Sequence, residues 1–87
     1  MDGRARVAWN LRRIRVEREV SQENLAVDAD VDRTTISGIE REDFNPSIDL
    51  LDRLAEALSI DISEFLLPLP ANAGDLKPLK SGRRPKR

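Results

Sequence analysis

The sequence predicts a small all-α domain made of five helices. In several stretches, apolar residues recur three and four positions apart, the spacing that places side chains on one face of a helix. Residues suited to helix N-caps precede these stretches, and prolines mark the places where regular structure ends. A chain of 87 residues is long enough for one such domain, with a modest core and little room for a buried active site.

The first helix is predicted at residues 5–18. Val7, Leu11 and Ile14 recur at helical spacing and form an apolar stripe, and arginines surround them. The stripe predicts that this helix packs against the rest of the domain through one face.

The second and third helices are predicted at residues 22–29 and 33–40, joined by a tight turn. Ser21 and Asp32 are suited to cap their N-termini. Asp30 occupies this turn, and Asp tolerates a left-handed backbone there better than most residues. The apolar residues expected to hold the two helices at a fixed angle are Leu25, Ala26, Val31, Ile36 and Ile39.

A loop at residues 41–46 leads to a fourth helix at residues 47–58. Asp61 has the spacing of a capping box and opens a short fifth helix that ends at Leu66, before Pro68. The predicted apolar stripe of the fourth helix consists of Ile48, Leu51, Leu54, Ala55 and Leu58.

Charge divides the chain into three parts, although the net charge is only −1. Residues 1–18 hold six arginines against two acids, residues 19–67 hold three arginines against thirteen acids, and residues 68–87 hold six basic residues against one acid. We expect residues 1–67 to form the domain and residues 68–87 to be a flexible basic tail. The tail could bind phosphate or a minor groove, act as a solubilising end, or fold back onto the acidic helices.

The composition excludes several kinds of chemistry. The chain has no Cys and no His, so it has no disulfide, thiolate nucleophile or histidine base, and nearly all zinc sites are excluded. Asp28, Asp30 and Asp32 are better explained by capping and turn roles than as a metal cluster. No apolar run approaches the roughly 20 residues that span a membrane, and no signal peptide is evident. We expect a cytoplasmic protein that is not an enzyme and does not associate with membranes.

Two motifs carry a resemblance to a known family. The order SQxxLAxxxxVxxxxISxxE begins at Ser21, and NPSxxxLxxLAxAL follows from Asn45. Together they resemble the lambda-repressor/Cro-like, or XRE-like, helix-turn-helix proteins, and the resemblance covers roughly residues 5–67. It implies a compact five-helix lambda-repressor-like DNA-binding domain, with the helix-turn-helix at helices 2 and 3.

Candidate DNA-binding residues lie at the starts of these two helices. The resemblance implies that Gln22 bonds a phosphate and braces a base-contacting side chain; otherwise it is a plain first-turn residue. Arg33 could bond guanine through a bidentate fork, contact a phosphate, or pair with a nearby Asp. Thr34 offers a hydroxyl or a methyl group to a base, and Thr35 and Ser37 are phosphate or shape contacts or plain helix surface.

Three further candidates each have two alternative roles. Gly38 stands where relatives often have a long polar side chain, which indicates either a close backbone approach or a tolerated glycine. Arg41 opens a loop that touches the DNA backbone in relatives, but here Glu42 and Asp43 follow it and would repel phosphate. Arg12 on the first helix could meet the flanking backbone or simply face solvent.

The resemblance also implies a structural ion pair and a dimer. An Arg late in the first helix pairs in this family with a Glu that ends the recognition helix, here Arg15 and Glu40. Phe65 and the leucines after it cluster where many relatives dimerise, and they are equally suited to the core.

The function expected from these features is sequence-specific binding of double-stranded DNA. The protein would be a transcriptional regulator, a repressor acting as a homodimer on an inverted repeat, and would need no cofactor. A restriction–modification controller or an antitoxin would fit equally well. The alternative is a protein-interaction module on the same fold, in which the acidic middle segment binds a partner such as a toxin or a polymerase subunit.

Overall fold

The structure, a computed structural model, describes residues 3–70, and the helices there confirm the predicted all-α class. Within that range there are four α-helices and one 3-10 helix, and no strand. Their bounds are Gly3–Glu17 (α1), Gln22–Ala29 (α2), Arg33–Glu40 (α3), Ile48–Leu58 (α4) and Ile62–Leu66 (the 3-10 helix). The basic tail predicted at residues 68–87 lies almost entirely outside the described residues.

The fifth predicted helix forms at its expected place, but as a 3-10 helix. It has five residues. Leu67 then turns to an extended conformation, with φ −62° and ψ 144°, before Pro68. Proline has no N–H with which to continue a ladder of hydrogen bonds, so the segment stays short.

Serine side chains cap two of the α-helices: Ser21 does so as predicted, and Ser47, predicted as the first residue of the fourth helix, is its N-cap. The Ser21 hydroxyl accepts a hydrogen bond from the backbone N–H of Asn24 at 2.9 Å, and the Ser47 hydroxyl accepts one from that of Leu50 at 3.0 Å. Asp32 has the extended backbone of an N-cap but makes no side-chain hydrogen bond to α3. The expectation that Asp32 caps α3 is therefore wrong as far as its side chain is concerned.

Asp61 caps the 3-10 helix through Ser63. The Ser63 hydroxyl and the Ser63 backbone N–H both donate to Asp61 Oδ2, and they lower the pKa of this carboxyl below its ordinary 3.8. A lowered folded-state pKa means that the carboxylate stabilises the fold above the unfolded-state pKa. That contribution is lost as the pH falls through the lower, folded-state value.

All four α-helices end in the same C-terminal motif, and none uses glycine for it. The left-handed residues are Glu19 (φ 57°), Asp30 (φ 60°), Glu42 (φ 65°) and Ser59 (φ 57°). The left-handed conformation predicted for Asp30 is thus confirmed. In each case the following N–H donates to the carbonyl five residues back: Val20 to Arg15, Val31 to Ala26, Asp43 to Gly38 and Ile60 to Ala55, at 2.9–3.0 Å.

Apolar residues after three of these ends attach them to the core. Val20, Val31 and Ile60 are half-buried and pack against the central cluster. Asp43 takes the equivalent place after α3 and is exposed. The end of α3 therefore lacks the apolar anchor that the other three α-helices have.

The core lies between α1 and the helices that follow it. Leu11, Ile36, Leu54 and Phe65 are fully buried, so Phe65 belongs to the core. Ile48, predicted to belong to the apolar stripe of α4, is instead 64% exposed. The core cluster consists of Val7, Leu11, Ile14, Leu25, Ala26, Ala29, Ile36, Ile39, Leu51, Leu54, Ala55, Leu58 and Phe65.

Replacement of the left-handed Ser59 by glycine tests whether these helix ends are strained. We expect Ser59→Gly to raise the free energy of unfolding by about 0.5–1 kcal/mol, because glycine adopts this conformation without a Cβ clash. Urea denaturation measures the change. Ser59→Ala, which keeps the Cβ, is the control and should give no gain. A loss of stability in the glycine variant would contradict the expectation.

Candidate DNA interface

Helices α2 and α3 form a helix-turn-helix held together from inside. Leu25 and Ala26 of α2 and Ile36 and Ile39 of α3 are all buried, at 5% exposure or less. The small Ala26 permits a close approach of the two helices. The opposite face of α3 is thereby turned away from the core.

The outer face of α3 begins with two exposed residues. Arg33 and Thr34 lie in the first turn of the helix and are exposed, and Thr35 and Ser37 are half-buried. A helix presented in this way can enter a DNA major groove with its N-terminal residues foremost. The guanidinium and the hydroxyls supply the hydrogen bonds that base edges and phosphates accept.

Gly38 lies away from this exposed face. It is buried, and a Cβ added to it would lie 3.5 Å from the Cβ of Phe44, an ordinary contact distance. The close approach is therefore to the chain's own loop, and space alone does not require glycine here. Its carbonyl also accepts the hydrogen bond that ends α3.

A buried ion pair joins α1 to the end of α3. Arg15 Nε donates to Glu40 Oε2 at 2.8 Å, and Arg15 Nη2 donates to Glu40 Oε1 at 3.0 Å. The exposed fractions of the two side chains are 12% and 4%. Arg15 Nη1 also donates to the carbonyl of Val20 at 2.9 Å, so one guanidinium fixes α3 and the entrance to α2 together.

Gln22 extends this network to the start of α2. Its Nε2 donates to Glu40 Oε1 at 3.2 Å. Glu40 therefore receives three hydrogen bonds from two helices, and the Gln22 amide is held in one direction. The amide oxygen and the second amide hydrogen of Gln22 remain for a contact outside the domain.

Arg41 is held within its own loop. Its Nε donates to Asp43 Oδ2 at 2.9 Å, and its Nη1 donates to the hydroxyl of Ser37. The Arg41 and Asp43 side chains are 62% and 63% exposed, so water screens the pair. Asp43 offsets the positive charge that Arg41 would present to phosphate.

Several arginines of α1 also have partners inside the fold. Arg12 is half-buried and takes part in an interaction within the chain. Arg13 bonds the Asn10 side chain at 3.0 Å and pairs with Glu17 at 3.5 Å. Some of the arginines of α1 therefore interact with other groups of the domain.

Asn10 is a structurally important residue that the sequence predictions missed. It is only 4% exposed, and its Nδ2 lies within 3.1 Å of the carbonyls of Phe65 and Leu67, next to the 3-10 helix. Asn10 lies three residues after Val7 and four before Ile14, on the apolar stripe of α1. An amide on the buried face of a helix indicates a buried hydrogen-bond partner, and that signal could have identified it.

The family comparison agrees with this geometry. A helix-turn-helix family model, HTH_3, matches residues 11–65. The chain belongs to this helix-turn-helix family. The match spans α2, α3 and α4, together with both members of the Arg15–Glu40 pair.

Relatives of this helix-turn-helix protein are regulators. A hypothetical transcription factor from Neisseria meningitidis serogroup B is 35% identical in an alignment that covers 92% of this chain and 81% of the relative. The immunity repressor of Bacillus phage phi105 is 39% identical over 60 residues. These cover 69% of this chain but only 42% of the repressor.

Solved structures of helix-turn-helix proteins share the fold. The crystal structure of the hypothetical transcription factor NHTF from Neisseria matches with a TM-score of 0.75 and 37% identity, over 86% of this chain and 85% of that one. The restriction–modification controller protein C.Esp1396I, solved as a tetramer with its natural 35 base-pair operator, matches with a TM-score of 0.67 and 32% identity. That match covers 77% of this chain and 99% of the controller chain.

An open groove lies between the end of α2 and α4 of this helix-turn-helix protein. Its volume is about 480 Å³, and Asp28, Asp30, Arg53 and Glu56 contribute its charged lining. Arg53 Nη1 donates to the Asp30 carbonyl at 3.2 Å.

Within residues 3–70, no group of three or more potential ligands could hold a metal ion, and no helix is long and apolar enough to cross a membrane.

Removal of one member of the Arg15–Glu40 pair should destabilise the helix-turn-helix domain strongly. We expect Glu40→Leu to lower the free energy of unfolding by about 3 kcal/mol, because it leaves the Arg15 charge buried without its partner. The double variant Arg15→Met with Glu40→Leu should recover most of this loss. Urea denaturation of the two single variants and the double variant measures the coupling. A loss of less than about 1 kcal/mol, typical of a surface pair, would contradict the expectation.

Proposed function

We propose that this protein is a sequence-specific DNA-binding transcriptional regulator, a repressor that acts as a homodimer on an inverted-repeat operator. The observation that carries the proposal is the exposed, hydrogen-bonding face of α3, which a buried ion pair orients within a member of the helix-turn-helix family. A phage immunity repressor and an operator-bound controller protein among the relatives support it.

In this proposal the first turn of α3 reads the bases. Arg33 forms a bidentate pair with guanine O6 and N7, which discriminates against a wrong base by about 1–3 kcal/mol. Thr34 offers its hydroxyl or packs its methyl against thymine. These residues are exposed and lead the helix, so they meet the groove first.

The surrounding residues bind the DNA backbone. Gln22 donates its second amide hydrogen to a phosphate while Glu40 holds the first. Thr35 and Ser37 contact phosphate or follow the groove shape, and Arg12 and Arg41 supply positive charge. Arg41 has to leave Asp43 to reach a phosphate, which limits its contribution.

The dimer surface in this proposal is the apolar segment that begins at the last residue of the 3-10 helix. Leu66 and Leu67 are each 42% exposed, and Leu69 is 38% exposed. A two-fold dimer would place two copies of α3 about 34 Å apart, the spacing of successive major grooves on one side of the duplex. Operator binding would exclude or recruit polymerase, and no cofactor is needed.

The proposal assigns separate roles to the two parts of the chain. Residues 1–67 form the DNA-binding domain, and residues 68–87 form a basic tail. The protein is a binding protein and not an enzyme, and it acts in the cytoplasm.

Selection from a random duplex pool tests the proposal, with Arg33→Lys and Arg33→Ala as matched variants. We expect the protein to enrich a palindromic sequence. Arg33→Lys should lose about 1–3 kcal/mol of discrimination at one base pair, because lysine keeps the charge but lacks the fork. Arg33→Ala should lose that discrimination together with the charge.

Two results would contradict the proposal in different ways. A uniform loss of affinity on all sequences in Arg33→Ala, with a salt slope shallower by about 1, would assign Arg33 to phosphate. No enriched sequence at all would contradict DNA readout and favour the protein-interaction alternative, in which the acidic segment binds a partner.

A further inference from the structure

Three consecutive backbone carbonyls lie near the end of the described chain, where the helix stops. No further helical N–H groups follow that could donate hydrogen bonds to them. The carbonyls belong to Phe65, Leu66 and Leu67, where the 3-10 helix ends and the backbone becomes extended. Pro68 follows and supplies no N–H. Helix ends of this kind need partners from elsewhere for their free carbonyls.

Side chains of α1 supply those partners. Asn10 Nδ2 donates to the carbonyls of Phe65 at 3.1 Å and Leu67 at 3.0 Å. Arg6 Nη1 donates to the carbonyl between them, that of Leu66, at 3.1 Å. Two side chains one turn apart on α1 therefore hold three successive peptide groups of the segment.

The Asn10 amide is itself held in place. Arg13 Nη2 donates to its Oδ1 at 3.0 Å, and its Nδ2 also lies 2.9 Å from the Arg6 carbonyl. These contacts fix which end of the amide faces the carbonyls. Since Asn10 is 4% exposed, water does not compete with these hydrogen bonds.

The clamped segment carries its leucines on the outside. With their carbonyls turned towards α1, Leu66 and Leu67 each remain 42% exposed, although the neighbouring Phe65 is fully buried. No charged or polar side chain occurs in residues 65–70. A neutral apolar surface suits a second copy of the same chain, because a two-fold contact brings each residue near its own copy and like charges there would repel.

We propose that Asn10, assisted by Arg6, is the positioning residue of the dimer: it holds the Leu66–Leu67 segment in the orientation that a second copy binds. The inference rests on the proposed function only for the location of the dimer surface. It assigns to α1 the task of setting dimer strength, and through it the spacing of the two recognition helices.

Substitution of Asn10 by Asp tests this role, since the carboxylate has similar shape but cannot donate and repels the carbonyls. Sedimentation equilibrium without DNA should give a dimer dissociation constant raised about tenfold or more. The ¹H–¹⁵N spectrum of α3 should stay unchanged. Ala29→Gly, which loosens the buried end of α2, is the stability control and should leave the dissociation constant unchanged at a comparable loss in melting temperature.

A second pair of variants tests the same positioning role if Asn10→Asp does not fold. Arg6→Ala removes the exposed hydrogen bond to Leu66 and should weaken the dimer by a few fold. Arg4→Ala removes the same charge from the same helix, at an exposed residue without such a bond, and should have no effect.

Leu67→Asp separates failure of this inference from failure of the proposed dimer surface. If Leu67→Asp leaves the dimer intact, the proposed location of the dimer surface is wrong, and the positioning role of Asn10 is overturned as well. If Leu67→Asp breaks the dimer but Asn10→Asp and Arg6→Ala do not weaken it, the surface stands and the positioning role is overturned. If Ala29→Gly raises the dimer dissociation constant as much as Asn10→Asp does, Asn10 affects the dimer only through the stability of the fold. That result would also overturn the positioning role.

Discussion

The buried ion pair between Arg15 and Glu40 is the constraint on which the recognition face depends. It joins α1 to the last residue of α3, and the same guanidinium reaches the Val20 carbonyl before α2. Gln22 completes the network from the first turn of α2. Helix α3 is thus hydrogen-bonded to α1, and α2 is hydrogen-bonded to the end of α3. These bonds have direction, which apolar packing alone lacks. Such a pair serves geometry more than net stability, because burial of two charges is itself costly.

Helix α1 contacts two surfaces at different points along its length. Near its C-terminus Arg15 orients the proposed DNA-reading helix, and Arg6 in its first half together with Asn10 at its middle holds the exposed leucine segment. A dimeric DNA-binding protein has to fix the relation between its dimer contact and its recognition helix, because the operator has a fixed half-site spacing. One helix of fifteen residues that contacts both provides that relation.

Features set by local sequence could be predicted, and features set by distant contacts could not. The all-α class and the Ser21 cap follow from helical spacing and N-cap preference, and the structure agrees. The Arg15–Glu40 pair was available only from the family resemblance, since 25 residues separate its members. The hydrogen-bond partners of Asn10 are 55 and 57 residues away in the sequence, and no local sequence pattern indicates which residues they are. The burial of Gly38 against its own loop likewise depends on how that loop folds back.

The most direct test of this account is an NMR titration of the ¹⁵N-labelled protein with the duplex enriched by selection. We predict that the largest amide shifts lie in residues 33–37, with further shifts at Gln22 and Arg41. This prediction would be contradicted if the shifts clustered instead around the groove at Asp28 and Arg53, or if none exceeded those caused by a scrambled duplex at the same salt concentration.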